Sequence, residues 1–413
     1  MTSDYSHRKS SLRIRLCDRN GKPIANEVVQ ASLIRHEFLF GCGGFDAVEL
    51  AGGKPDGTPI EAVEAASIQE RLEKIFSVNN YATLPFYLGR YEPEEGKPDE
   101  RRTRAAAEWF AKKQVITKGH PLCWHTVCAP WLMEYSNKEI LEKVTRRIER
   151  DVGAFKGLID MWDVINEVVI MPVFDKYDNA ITRVCREVGR VGLVKEVFAA
   201  ARRANPDAVL LINDFNLSPD YEKLIESCLD AGIPIDAIGL QSHQHQGYWG
   251  REKLMDVLNR FSRFGLPLHF TENTFISGDL MPPHIEDLND WQVESWPTTA
   301  EGEERQTREI AEFYSILFAN PKVEAITTWC AIDGRWLKAP AGFLRVDNSE
   351  KPAYHTLKNK IAEEWHTELQ TVSSPKGEFS LEGFRGDYKL SVRNMTAHCT
   401  LDGKKDSLEL RMP

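Results

Sequence analysis

Two glutamates close apolar runs. The stretch 158–167 reads LIDMWDVINE and ends in Asn166 and Glu167, and the stretch 267–273 reads PLHFTEN and carries Glu272. Runs of this length, too short for an independent helix and stopping abruptly at polar residues, are how buried strands deliver functional groups to a rim. Two carboxyl groups that meet across an opening can divide the cleavage of an acetal: one gives a proton to the leaving oxygen and the other attacks the carbon. The ends of neighbouring runs supply suitable company: His120, Trp124 and His125; Asn213, Asp214 and Asn216; Gln241, His243 and His245; Trp329 and Asp333. Indoles offer flat faces to pyranose rings, and amides and imidazoles hydrogen-bond hydroxyls. Either glutamate alone reads as an ordinary exposed charge. Both together, at equivalent depth beside polar residues, favour a catalytic pair.

These groups meet only if the runs lie parallel in one sheet. The runs that read as strands are 38–45, 76–85, 115–125, 158–167, 208–216, 237–245, 267–273 and 325–333. Amphipathic stretches near 61–75, 100–113, 137–156, 189–204, 218–231, 251–264, 302–319 and 353–365 follow them in turn, and Ser136 and Ser218 carry helix-start signals. Eight strands each followed by a helix is the count of a (β/α)8 TIM barrel, an α/β fold of about 250 residues or more. Periodicity does not separate a closed barrel from an open parallel sheet, so closure is an expectation. Residues 1–37 read as a β hairpin, 38–368 as the barrel, and 369–413 as β segments that pair with the hairpin in a small β module. The longest unpatterned connection, 274–301, follows the seventh strand and carries Trp291 and Trp296.

The chain has 413 residues, 42% hydrophobic and 28% charged, with a formal charge of −10. That balance, without basic clusters, argues against a nucleic-acid partner. No run approaches the ~18 apolar residues of a membrane span, and the N-terminus lacks the apolar segment of a signal peptide. The expected location is cytoplasmic, or secreted if a signal has been removed. The eight cysteines are scattered, which suits reduced thiols better than a disulfide framework. Cys123 and Cys128 lack the second pair of a metal site. No metal and no cofactor is expected, and the residues leave the oligomeric state open.

Taken together, the motifs resemble the family 10 glycoside hydrolases, known chiefly as endo-β-1,4-xylanases. The similar stretches are GHPLCWH at 119–125, WDVINE at 162–167, NDFN at 213–216, GLQSH at 239–243, FTEN at 270–273 and TTWCAIDGRWL at 327–337, six motifs in the right order. The resemblance covers roughly residues 35–365. It implies a retaining double displacement on β-1,4-xylosidic linkages of xylan or xylo-oligosaccharides, with Glu167 as general acid/base and Glu272 as nucleophile. It also implies that Asn166 binds the sugar 2-hydroxyl, that His120, Trp124 and Gln241 line the subsite of the sugar being cleaved, that Trp329 and Trp336 form its aromatic wall, and that His243 hydrogen-bonds the nucleophile.

Two departures stand out. The family commonly places a carboxylate two residues after the nucleophile, and Thr274 stands there. In the second strand the family's Asn and Lys, which hold the next sugar, align with Leu84 and Tyr87. Tyr87 or Arg90 is then the candidate reader of a different or decorated sugar, against the plainer reading of Tyr87 as packing. Three alternatives stay open: a retaining β-glycosidase for another glycan, a catalytically silent carbohydrate-binding barrel, and a metal-dependent barrel hydrolase using the histidines.

Overall fold

A computed structural model describes residues 4–285 and 288–413. The strands are β1 (Lys9–Cys17), β2 (Val28–His36), β3 (Leu39–Gly43), β4 (Tyr81–Pro85), β5 (Ile116–His120), β6 (Met161–Asn166), β7 (Val209–Asp214), β8 (Ala237–Gln244), β9 (Leu268–Phe275), β10 (Val323–Thr328), β11 (Glu368–Val372), β12 (Glu378–Phe384), β13 (Gly386–Val392), β14 (Met395–Leu401) and β15 (Ser407–Arg411). Strands β3 to β10 close into one parallel barrel, β10 pairing with both β9 and β3. The expected TIM barrel is therefore closed, and each of the eight runs contributes one strand. All eight residues of β9 are buried and five of six in both β6 and β7, as strands covered on both faces must be.

Glycines in the barrel strands act as sockets for aromatic rings. A Cβ on Gly119 would stand 2.2 Å from the ring of Trp162, and one on Gly41 would stand 2.3 Å from the ring of Tyr81. The fully buried Trp162 also packs edge-on to Phe86 at 4.9 Å, and both rings meet Phe155 at the end of the helix Asn137–Ala154, so they pack these strands against the surrounding helix. The expected caps are present. Ser136 forms a reciprocal capping box with Glu139 at the helix Asn137–Ala154, and Ser218 accepts from the Asp220 amide ahead of the helix Pro219–Asp230. One helix starts earlier than expected, at Ala180 rather than near 189, because Gly189 at φ 75° and ψ 164° kinks it and breaks its apolar period.

The chain divides into two compact units, residues 40–313 with 322–353, and residues 1–39 with 314–321 and 354–413. The second unit holds two sheets, β12-β1-β15 and β11-β2-β13-β14. The hairpin expected within 1–37 is not formed, since β1 pairs antiparallel with β12 and parallel with β15, while β2 pairs with β11 and β13. Its turn, Asp18 to Lys22, closes only a bridge between Cys17 and Pro23, and proline has no N–H with which to extend a ladder. The boundary expected at 368 also moves. Phe318 stacks on Trp365 at 4.2 Å and packs against Phe38 and Phe384, so these helix-end aromatics serve the core of the β unit.

Candidate active site

Glu167 follows β6 directly, and its backbone is left-handed at φ 58°. That conformation, uncommon for a non-glycine residue, interrupts the strand's alternation and lets consecutive side chains serve one opening. Asn166 Nδ2 lies 3.2 Å from Glu167 Oε1, and Gln241 Nε2 lies 3.2 Å from the same oxygen. Trp124 Nε1 donates to Glu167 Oε2 at 2.8 Å. These donors favour the ionised form. Burial opposes them, the negative charge of Glu272 adds to it, and together they push the Glu167 carboxyl up to about 8.

Glu272 lies within β9 and repeats the conformation at φ 57°. Burial would raise its carboxyl too, but the His243 hydrogen bond and the imidazoles of His120 and His243 outweigh it and hold the group below the ordinary glutamate value. His243 Nε2 stands 3.3 Å from Glu272 Oε2; an ionised carboxylate only accepts, so the imidazole donates. On the other side of the ring the Thr274 hydroxyl is 3.5 Å from Nδ1 and accepts from the Gln244 amide.

Asn213, at the end of β7, joins the two glutamates. Its Nδ2 donates to Asn166 Oδ1 at 2.8 Å and to Glu272 Oε1 at 3.0 Å, while its Oδ1 accepts from the Thr271 hydroxyl at 2.7 Å. Gln241 Nε2 also reaches Asn166 Oδ1, at 3.0 Å. Four strands thus contribute to one amide-linked set. Room for it comes from Gly239, where a Cβ would lie 2.4 Å from Asn213 Oδ1.

A buried charge pair supports the neighbouring wall. Asp163 Oδ2 is 2.7 Å from Lys118 Nζ and 2.7 Å from His120 Nδ1, all three residues being essentially inaccessible. Burial alone would raise the Asp163 carboxyl; Lys118 and His120 reverse that and hold it low. It therefore accepts from His120 Nδ1–H and fixes the imidazole, leaving Nε2 as its other polar atom. Around His120 stand Tyr87 with ring centroids 5.4 Å away and Trp329 at 5.3 Å, and Phe45 packs edge-on to Trp329 at 5.3 Å. Tyr87 also contacts Trp124 at 5.6 Å. Arg90 is exposed on the short helix Leu88–Tyr91, its guanidinium 6.0 Å from the Tyr87 ring. Among the described residues no group of three His, Cys, Asp or Glu is placed to hold a metal ion, and no helix is long and apolar enough to cross a membrane. All eight cysteines are free thiols.

The sequence model of glycosyl hydrolase family 10 matches residues 86–360. The chain belongs to glycoside hydrolase family 10. Among curated relatives, endo-1,4-beta-xylanase B of Thermotoga neapolitana is 29% identical over 190 residues, 44% of this chain and 53% of that protein. The chain thus spans about half the length of that relative. Endo-1,4-beta-xylanase B of Paenibacillus barcinonensis is 28% identical over 293 residues, 67% of this chain and 84% of that enzyme. In fold the chain is similar to xylanase 10B from Thermotoga petrophila RKU-1, solved in complex with xylobiose, with a TM-score of 0.61 at 20% identity over 79% of this chain and 95% of that one.

On this family 10 barrel, the structure gathers Glu167, Glu272, Asn166, Gln241, His243, Trp124 and His120 into one connected constellation. Of the two tryptophans expected to form one wall, Trp329 packs on His120 and Phe45, and Trp336 stacks on His243. Leu84 is fully buried, Phe86 packs into the core, and Tyr87 is half-buried among the site aromatics. The linking role of Asn213 and the Lys118–Asp163 support did not emerge from the sequence. Asp163 had left a signal, a charge in the middle of an apolar strand; Lys118 had left another, two residues before His120.

Proposed function

We propose that this protein is a retaining β-glycoside hydrolase that cleaves β-1,4-xylosidic linkages in xylan or xylo-oligosaccharides. The observation that carries the chemistry is the opposed state of two linked glutamates: Glu167 is held protonated toward pH 8 while Glu272 is held ionised. Environments that push two carboxyl groups apart assign the acid and the base. Glu272 attacks the anomeric carbon as Glu167 protonates the leaving oxygen; a covalent glycosyl-enzyme forms and the aglycone departs. Glu167, now ionised, takes a proton from water, which attacks the same carbon and frees Glu272. Asn166, oriented by Asn213 and Gln241, is the group for the sugar 2-hydroxyl, and His120 and Trp124 flank the same position.

The xylose assignment is supported by family membership and by the xylanase relatives. Tyr87, Phe45 and Trp329 give the wall beyond His120 an aromatic lining, which favours short or substituted chains over a polar grip on a second sugar. The test is a product analysis across xylan, xylo-oligosaccharides, arabinoxylan fragments and other β-glucans, with proton NMR of the first anomer released. Xylose-containing products with the β anomer appearing first are expected. Absence of any β-xylosidic cleavage would reject the substrate, and first release of the α anomer would reject the double displacement.

A further inference from the structure

The connection from β9 to the helix Ala300–Phe318 has a hydrophobic core of its own. Ile276, Met281, Trp296, Ala339 and Ala341 are buried together, and Trp291, Val293 and Trp336 pack against them. Trp291 meets Trp296 edge-on at 5.5 Å, and Trp296 Nε1 donates to the Asp279 carbonyl at 2.7 Å. Such a core exceeds what a surface connection needs. One of its members reaches the catalytic set: the ring of Trp336 lies parallel to that of His243, 4.7 Å between centroids at an interplanar angle of 4°.

The segment bearing Trp336 does not hold its own shape easily. Leu337 and Lys338, the next two residues, are both left-handed at φ 48° and 57°, conformations that persist in non-glycine residues only where surroundings over-determine them. The loop supplies those surroundings. Lys338 Nζ donates to the Val293 carbonyl at 3.1 Å, and Ala339 sits in the loop core. The same loop grips the end of β8, with Met281 N donating to His245 O at 2.9 Å and Gln246 Nε2 donating to Pro282 O at 3.1 Å and Ile285 O at 2.7 Å. Both partners of the stack, the β8 end with His243 and the 336–339 turn, are thus clamped by one element.

We propose that residues 276–285 and 288–299 are a buttress that presses Trp336 flat against His243 and thereby fixes the imidazole's hydrogen bond to Glu272. Trp336 and Lys338 are then positioning residues for the nucleophile, and one face of Trp336 is committed to His243 rather than to sugar. This rests on the nucleophilic role of Glu272 proposed above. The titratable groups facing Glu272 are His243 on β8, His120 on β5, Asp163 and Glu167 from β6, Tyr87 after β4 and Cys330 after β10. Of these, His243 donates to it directly.

The test compares wild type with Trp336→Phe, Trp336→Leu and Lys338→Met on an aryl β-xylobioside across pH 4–9, with His243 ring signals followed by 15N NMR and assigned through His243→Gln. Trp336→Leu is expected to lower kcat about 30-fold with KM changed less than about 3-fold, and to move the acid limb of kcat/KM up by about one pH unit. Trp336→Phe, which keeps a flat ring, should stay within about 3-fold, and Lys338→Met should give a smaller fall in the same direction. A rise in KM with kcat retained would make Trp336 a sugar platform and overturn the proposal. So would equal losses in the Phe and Leu variants with an unmoved acid limb. If wild type cleaves no xyloside, the function proposed above fails, and the ring signals still decide: displaced in Trp336→Leu if the buttress acts on His243, identical to wild type if it does not.

Discussion

Glu167 and Glu272 begin alike. Each sits at the end of or within a buried parallel strand, each has a left-handed backbone within 1° of the other in φ, and each has an asparagine amide in reach, Glu272 being buried and Glu167 half-buried. They finish apart because of a few neighbours. Glu167 is met by neutral donors, an indole and two amides, which do not offset burial and the charge of its counterpart. Glu272 is met by an imidazole that donates to it, with a second imidazole nearby. Burial sets the size of the possible shift, and the charge state of the hydrogen-bond partners sets its direction.

The strongest way to break this contrast is to remove the nucleophile. Glu272→Ala should lower kcat by about 10⁴-fold or more on every substrate, because no other group can form the glycosyl-enzyme. Steady-state rates on an aryl β-xylobioside check this, and residual activity above a few per cent would remove Glu272 from the role. Glu167→Ala should behave differently. Its loss should reach about 10²- to 10⁴-fold for a xylo-oligosaccharide, whose leaving oxygen needs a proton, and be far smaller for the glycosylation step of a dinitrophenyl glycoside, which does not. Pre-steady-state bursts on the two substrates separate these outcomes; equal losses on both would contradict an acid role.

His243→Gln sharpens the other half. Loss of the imidazole should raise the Glu272 pKa and move the acid limb of kcat/KM upward by about one unit, with a fall in kcat of about 10- to 100-fold. An unmoved limb would assign the low Glu272 value to another neighbour.

Stability gives the smallest effect and an independent one. A carboxyl raised in the folded state holds its proton more tightly there than in the unfolded chain, so Glu167 costs the native state nothing below pH 4.5. The cost grows as pH rises toward 8. Glu167→Gln should therefore be more stable than wild type at pH 8, on the order of 2–4 kcal/mol, and nearly equal to it at pH 4. Denaturant midpoints at the two pH values measure this.

What could be read from the sequence was whatever depends on local pattern. Strand β6 declared itself by the apolar residues Met161, Trp162, Val164 and Ile165 leading into Asn166 and Glu167, and the helix after Ser136 by its capping box. Features set by distant partners were hidden. Strands β1 and β2 look like a hairpin because they adjoin in sequence, yet each pairs with strands more than 300 residues away. The helix beginning at Ala180 is legible in the sequence only from Gly189 onward, since the kink at Gly189 interrupts its regular period. At the site, strand-end residue types predicted who gathers, but not the links. That Asn213 fills the space left by Gly239, that Lys118 neutralises Asp163 beneath His120, and that Trp336 stacks on His243 all depend on side chains meeting across strands.

The contrast between the two glutamates is tested most directly by the pH dependence of kcat/KM on a xylo-oligosaccharide, whose leaving oxygen needs the proton, measured for wild type and for Glu167→Ala. The account predicts a bell for wild type, its basic limb near pH 8 and its acid limb below pH 4.5, and loss of the basic limb alone in the variant. A basic limb that survives in Glu167→Ala would contradict it.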